Sequence, residues 1–361
     1  MITVTKTFFP PFDDFQANLR QIWESGWLTN DGQLGNELAI KLGHYLGVTH
    51  IELVANGMLA LQLAIKALDL KGEIITTPFS YVATANAIAW EVCTPVFVDI
   101  DEKTFCINPD LIEAAITEKT SAILATHVYG YPCDVQRIAG IAKKHNLKVI
   151  YDAAHCFGVK LNGQSLLVHG DISTLSFHAT KLFHTAEGGA VVCRDENVSK
   201  RIGVMKRFGH FGEDDYQEIG TNAKMSELHA AMGLCILPVI DQIIDRRRQI
   251  TTLYDELLKD SKLYHSNVPH GVEYNYNYYP ALFPSHEDMM RARKALMDQN
   301  IIPRRYFYPS LNTLPYLQQA GYKTCPVSES AATRVLCLPL YSELQNEEIK
   351  KIAKIILGTI K

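Results

Sequence analysis

The sequence predicts an α/β fold, with a mainly parallel sheet between helices in a large first part and a smaller α+β part behind it. Two observations predict it. Between residues 51 and 195 short β-branched runs alternate with helical patterns, and beyond Gly220 the texture changes to long helical patterns.

The β-branched runs are IELV (51–54), EIITT (73–77), PVFVDI (95–100), SAILATHV (121–128), KVIYDAA (148–154), ISTLSF (172–177) and GAVVC (189–193). Their near-continuous apolar character suits strands covered on both faces. Between them, Met58 to Leu70, Val82 to Trp90, Pro109 to Thr117 and Asp134 to His145 carry apolar residues at helical spacing. After Gly220 come a helical pattern over Ser226 to Leu258, a tyrosine-rich patch YNYNYYPALF (274–283) and a further helix over Glu287 to Gln299. A chain of 361 residues exceeds the size at which one core keeps growing, so a division into 1–250 and 251–361 is expected.

Hydrophobic residues make up 47% and charged residues 20%, ordinary values for a chain that folds throughout. The formal net charge of -4 argues against general affinity for nucleic acid, while leaving room for a local basic pocket. Eight cysteines lie scattered without a C-x-x-C pair or close histidines, so neither a zinc site nor a disulfide framework is signalled. The N-terminal MITVTKTFFPPF lacks a signal peptide's apolar stretch, and no apolar run reads as a membrane span, so a soluble cytoplasmic protein is expected.

Three features point to chemistry. Asp152 ends the run KVIYDAA, and carboxylates at the C-terminal ends of parallel strands face the crevice where open α/β sheets bind ligands; a helix cap or loop salt bridge is the plain alternative. Lys181, in SFHATKLFHTAEGGAVV (176–192), follows one apolar strand and precedes a Gly-Gly pair leading into another. Lysine is the residue for Schiff-base chemistry when desolvation lowers its pKa, although a lone loop lysine is usually a solvated charge. In VANGMLALQLAI (54–65) a strand passes through Asn56-Gly57 into a helix, whose first amides make an anion site that glycine lets a phosphate approach. In combination these supply a phosphate anchor, a carboxylate for a pyridine nitrogen and an amine for an aldehyde, the parts that pyridoxal 5'-phosphate (PLP) requires.

With these motifs the chain resembles the DegT/DnrJ/EryC1/StrS sugar aminotransferases from about GWLTNDGQLGNELA (26–39) to RRYFYPSL (304–311). The resemblance implies the PLP-dependent transferase fold of type I and a homodimer with shared active sites. It matches Lys181 to the lysine that holds PLP, Asp152 to the partner of the ring nitrogen, and His155 to a residue beside the ring. Ser176 and the Gly57-Met58 backbone match the phosphate cradle, Tyr81 an aromatic stacked on the ring, and Asn222 an asparagine that reaches the neighbouring subunit's phosphate. For Tyr81, packing in the core is the alternative. Thr29, Asn30, Glu187, Arg304, Arg305 and Tyr306 are substrate candidates, against capping of the following helix for the first two and simple solvation for the arginines. Where many relatives have Asn-Phe after the lysine and Gly before the Glu of EGG, this chain has Leu182-Phe183-His184 and Ala186-Glu187.

The resemblance further implies glutamate as amino donor and a nucleotide-linked keto sugar as acceptor, in surface glycan biosynthesis such as O-antigen. The SFHATK loop is more similar to relatives that aminate C4 of a dTDP-4-keto-6-deoxyhexose, giving dTDP-4-amino-4,6-dideoxyglucose, than to those acting at C3. A 3-keto sugar or amino-cyclitol aminotransferase, and a non-catalytic PLP-binding regulatory protein, are the alternatives.

Overall fold

A computed structural model describes residues 1–266, 268–318, 321 and 323–360. Its centre is a 7-stranded sheet, in the order His50–Val54, Gly189–Cys193, Ile172–Ser176, Lys148–Asp152, Thr120–Thr126, Glu73–Thr76, Thr94–Phe97. Gly189–Cys193 runs antiparallel to both neighbours, and every other pairing is parallel. All seven predicted runs are therefore strands of one sheet.

The strand period of two splits each apolar run between two cores. Ile74, Ala122, Leu124, Ile150 and Val191 face one side, where the helix Gly57–Ala67 packs. Ile75, Ile123, Val149, Tyr151 and Val192 face the other, which also takes Leu34, Leu38 and Leu42 of helix Gln33–Leu46. Burial on both faces is why these runs show little polar alternation. The predictions overshoot at the C-terminal ends: Thr77, His127 and Ala153 have left the ladder, because there the chain turns to build the cleft described below.

Two helical expectations are corrected. Over 109–117 the chain forms two 3₁₀ turns, Pro109–Leu111 and Glu113–Ala115, with Asn108 capping the first. Ile112 and Ala115 are its buried residues, and a spacing of three suits a 3₁₀ turn better than an α-helix. The pattern over 226–258 is two helices, Glu227–Ile236 and Ile240–Leu258, joined by a 3₁₀ turn at Leu237–Val239. Pro238 lacks the amide that a continuous helix would need. Contrary to the hydropathy reading, this stretch meets the length and composition of a membrane span, with mean hydropathy 1.4, yet 56% of its apolar window is buried within the fold.

A separate core gathers Ile250, Tyr254 and Leu258 of the long helix with the antiparallel pair Tyr279–Leu282 and Val335–Leu338 and helices His286–Met297 and Asn346–Leu357. The N-terminus joins this part, since Ile2–Thr3 pairs in parallel with Ile301–Ile302. Buried Arg247 ties the long helix to it by donating to the carbonyls of Tyr276, Asn277 and Leu340.

Candidate active site

The parallel strands point their C-terminal ends to one edge of the sheet. Val54 leads there into Asn56-Gly57, Thr76 into Ser80-Tyr81, and Asp152 and Ser176 end their strands at it. Gly189 begins the antiparallel strand at the same edge, opposite Val54 and Ser176, so the Lys181 loop hangs over it. The result is a cleft of 630 Å³ whose lining includes Gly57, Met58, Tyr81, Asp152, His155, Ser176, Lys181 and Glu187. Tyr278, Arg304, Tyr306 and Phe307 close it from the C-terminal part.

The helix start at Gly57 is locally determined. Asn56 caps it, its side chain accepting from the Leu59 amide at 2.9 Å, which contributes about 1 kcal/mol. The first amides of the helix, those of Gly57 and Met58, have no carbonyl partner within it and face the cleft. A Cβ on Gly57 would fall 2.8 Å from the Ser176 Cβ, so only glycine lets the helix start close on the serine. Two amides, a hydroxyl and the positive end of a helix dipole thus converge, which suits a phosphate.

At the deep end, Asp152 is 6% exposed. Its Oδ2 accepts from Thr84 Oγ1 at 2.7 Å and its Oδ1 from the Ala154 amide at 3.1 Å. Burial raises its pKa, while Thr84, Ala154 and Lys181 draw it back down. The helix-cap alternative does not hold, since both donors lie at the strand exit and on the neighbouring helix Val82–Trp90. Lys181 lines the same cleft, with Nζ 6.0 Å from the centre of the Tyr278 ring. Burial lowers its pKa to about 8 against the opposing pull of Asp152. A useful fraction of Lys181 is therefore neutral and nucleophilic near pH 7 to 8, unlike a solvated lysine.

His155 is buried, its Nδ1 accepting from the Tyr129 amide at 3.2 Å, and its ring stacks on Phe307 with centroids 5.7 Å apart. Burial and then the charge of Lys181 depress its pKa well below the usual value, so it is a neutral imidazole with the proton on Nε2. Tyr81 is 60% exposed at the cleft mouth, which rules out core packing and leaves its face available to a flat ring.

The outer residues are less gathered. Glu187 and His178 both line the cleft, with His178 Nε2 3.6 Å from Glu187 Oε1. Of the arginine pair only Arg304 lines it; Arg305 stacks 3.3 Å over the Tyr308 ring and donates toward the Ala332 carbonyl. Thr29 and Asn30 lie outside the cleft, hydrogen-bonded to each other at 3.1 Å. Neither caps the next helix, whose N-cap is Gly32. Buried Glu227 takes that capping role, accepting from the Leu34 and Gly35 amides at 2.8 Å each. Asn222 also lies outside its own chain's cleft, accepting from Lys224 Nζ at 2.5 Å.

Sequence reasoning missed Ser80, Thr84, His178, Tyr278 and Phe307. Ser80 and Thr84 carried one signal, hydroxyls at a spacing of four across a helix start; Phe307 carried none. The departures from the relatives also find a place. His184 is buried and bonded to the Phe8 carbonyl at 2.8 Å, away from the cleft. Ala186 adopts φ 65°, the left-handed region that favours glycine.

The comparisons agree with this architecture. The family model for the DegT/DnrJ/EryC1/StrS aminotransferase family matches residues 12–357. The dTDP-4-amino-4,6-dideoxy-D-glucose transaminase of Shigella dysenteriae is 44% identical over 360 residues, covering 98% of each chain. The protein of the same name from Escherichia coli is 41% identical over 369 residues, covering 99% of this chain and 98% of its own. A crystal structure of DesI in the presence of its TDP-sugar product superposes with a TM-score of 0.94 at 31% identity, covering 99% of this chain and 92% of that one. A cleft fitted to a phosphate, a pyridine nitrogen and an aldehyde, on a chain matched almost end to end, makes this protein a PLP-dependent member of the DegT/DnrJ/EryC1/StrS aminotransferase family.

Proposed function

We propose that this chain transfers the amino group of L-glutamate to C4 of dTDP-4-keto-6-deoxy-D-glucose, giving dTDP-4-amino-4,6-dideoxy-D-glucose. The carrying observation is that two transaminases named for that product match nearly the whole chain above 40% identity. Lys181 and Asp152, both lining one cleft, would supply the means.

Bound PLP supplies an aldehyde that captures amines and a protonated ring that withdraws electrons from the carbon being deprotonated. The Gly57 and Met58 amides and Ser176 would hold its phosphate, Asp152 would accept from the ring N–H, and Tyr81 and His155 would flank the ring. Lys181 Nζ would carry the covalent link at rest and, once freed, would be the base that moves a proton between the donor or sugar carbon and the cofactor carbon. Its pKa near 8 suits both tasks. Arg304, with Glu187 and His178, offers charge and hydrogen bonds at the mouth to the diphosphate and the sugar hydroxyls. Two half-reactions through one site give ping-pong kinetics.

The active unit is a homodimer in which Asn222 of each subunit completes its neighbour's phosphate site. This accounts for its position outside its own cleft. The protein works in the cytoplasm on a soluble nucleotide sugar destined for surface glycan such as O-antigen, with residues 1–250 carrying PLP and 251–361 closing the cleft.

The test is incubation of PLP-loaded protein with glutamate and dTDP-4-keto-6-deoxy-D-glucose, with the product's regiochemistry read by NMR. Amination at C3 would replace this reading by the 3-amino alternative. Failure to transfer any amine would leave a PLP-binding regulatory protein.

A further inference from the structure

Behind Asp152 lies a chain of hydroxyl groups. Thr84 Oγ1 is 2.7 Å from Asp152 Oδ2, Ser80 Oγ is 2.8 Å from Thr84 Oγ1, and Thr126 Oγ1 is 3.0 Å from Ser80 Oγ. All three hydroxyl residues are buried, at 0%, 2% and 2% exposure for Thr84, Ser80 and Thr126. They come from three separate places: Ser80 from the turn after Glu73–Thr76, Thr84 from helix Val82–Trp90, and Thr126 from the end of Thr120–Thr126.

With Asp152 ionised, proton counting fixes the direction of this chain. A hydroxyl has one proton to donate. An ionised carboxylate only accepts, so the proton of Thr84 is spent on Asp152. Ser80 must then donate to Thr84, and Thr126 to Ser80. The three O–H dipoles consequently align head to tail with their positive ends toward the carboxylate, and aligned donors in a low-dielectric interior reinforce one another. Isolated buried hydroxyls would gain nothing from this order; a threonine at 84 alone would satisfy Oδ2.

We infer that Thr84, Ser80 and Thr126 form a one-way donor relay that keeps Asp152 ionised, and through it keeps the ring nitrogen of the bound cofactor protonated. These are positioning residues, since only Asp152 meets the ring. The inference rests on the proposed pairing of Asp152 with that nitrogen. The relay opposes the burial that would otherwise favour the neutral acid. The other ionisable groups that act on Asp152 are Lys181 from the loop before Gly189 and Cys156 from its own strand exit, and His155 lines the same cleft. Burial keeps His155 neutral and the Cys156 thiol protonated across the neutral range, so neither substitutes for the relay.

The test is the pH dependence of PLP affinity in the full-length Lys181→Ala protein, where binding is non-covalent and the lysine no longer titrates. Affinity is followed by the absorbance of PLP between about pH 5 and pH 8.5, since burial moves the carboxyl upward from its usual value. Asp152 must be ionised to bind, so affinity falls on the acid side. Adding Thr84→Val moves that fall toward neutral pH by about one unit, a tenfold loss of affinity on the acid side, as expected for removing a hydrogen bond to a charged group. Thr84→Ser restores the parent profile. Ser80→Ala, which leaves Thr84 on the carboxylate, moves it the same way by about a third of that, since only the reinforcement is lost.

A merely structural role would lower affinity equally at every pH and leave the acid fall in place, and that result overturns the relay. If Thr84→Val does not fold, Ser80→Ala decides alone: an unmoved profile overturns the relay. Asp152→Ala separates the two ideas. If it abolishes the acid fall and costs affinity while Thr84→Val and Ser80→Ala do nothing, only the relay is wrong; if Asp152→Ala itself leaves affinity unchanged, the pairing with the ring nitrogen is wrong.

Discussion

The floor of the cleft and Asn222 are both proposed to serve the same cofactor, yet the floor and the stretch 207–222 that ends at Asn222 are built in opposite ways. At the floor the buried polar groups Asp152, Thr84 and His155 find partners within one chain: Asp152 in Thr84 and Ala154, Thr84 in Ser80, and His155 in Tyr129. Along Arg207–Asn222 the large apolar side chains stand in water, with Phe211 60%, Tyr216 66% and Ile219 82% exposed. Soluble chains rarely leave such residues grouped on their surface unless something covers them. The floor is complete in a monomer, whereas the outer segment has the character of a surface awaiting its neighbour, as the proposed homodimer requires.

The largest test of this contrast is at the floor. Lys181→Ala should lower amino transfer by about 10⁴-fold or more, because both the nucleophile and the proton carrier are lost. Borohydride reduction and peptide mapping of the parent protein should place the pyridoxyl label on Lys181 alone. Asp152→Asn should lower kcat by about 10²- to 10³-fold, the consequence of breaking a buried charge pair. Steady-state kinetics with saturating glutamate would show it.

The outer segment predicts a different behaviour, dependent on the partner. Asn222→Ala should lower activity by about 10- to 100-fold, the loss of one hydrogen bond to a charged phosphate. Refolding it as an equal mixture with Lys181→Ala should then recover about a quarter of the parent activity. In a symmetric dimer half the molecules are mixed, and each mixed molecule has one intact site of two. If the mixture recovers nothing, Asn222 acts within its own chain or not at all.

Smaller effects concern stability. Burial of Lys181 lowers its pKa to about 8, below that of a lysine in the unfolded chain. Below pH 8 the folded state carries the full cost of that buried charge. Between about pH 8 and pH 10.4 the unfolded chain holds more protons than the folded one, so stability rises with pH. Lys181→Met should therefore raise the Tm of the PLP-free protein by several degrees at pH 7, and the gain should shrink above pH 8. Ala186→Gly should stabilise by about 0.5–1 kcal/mol by relieving the positive φ, measured by urea unfolding.

Much of this protein was legible in one dimension. The seven strands were readable because both sheet faces are buried, which leaves each strand as an uninterrupted apolar run. Asn56-Gly57, Asp152 and Lys181 were readable because a strand exit in a parallel sheet sends its residues to one common edge whatever the rest of the chain does. The helix expected over 109–117 failed because Ile112 and Ala115 face the core at a spacing that a 3₁₀ turn satisfies as well. The long pattern over 226–258 concealed a break at Pro238, since apolar period alone does not register a missing amide.

What the sequence determined by itself is the set of parts and the edge at which they meet, because strand period and chain direction are local properties. Only the tertiary structure decided that Thr126, Ser80 and Thr84 line up behind Asp152, that Arg304 faces the cleft while Arg305 turns away onto Tyr308, and that Glu227 caps a helix nearly two hundred residues earlier. Those outcomes depend on distances between segments remote in sequence, fixed by packing to a few tenths of an ångström, and no spacing along the chain encodes them.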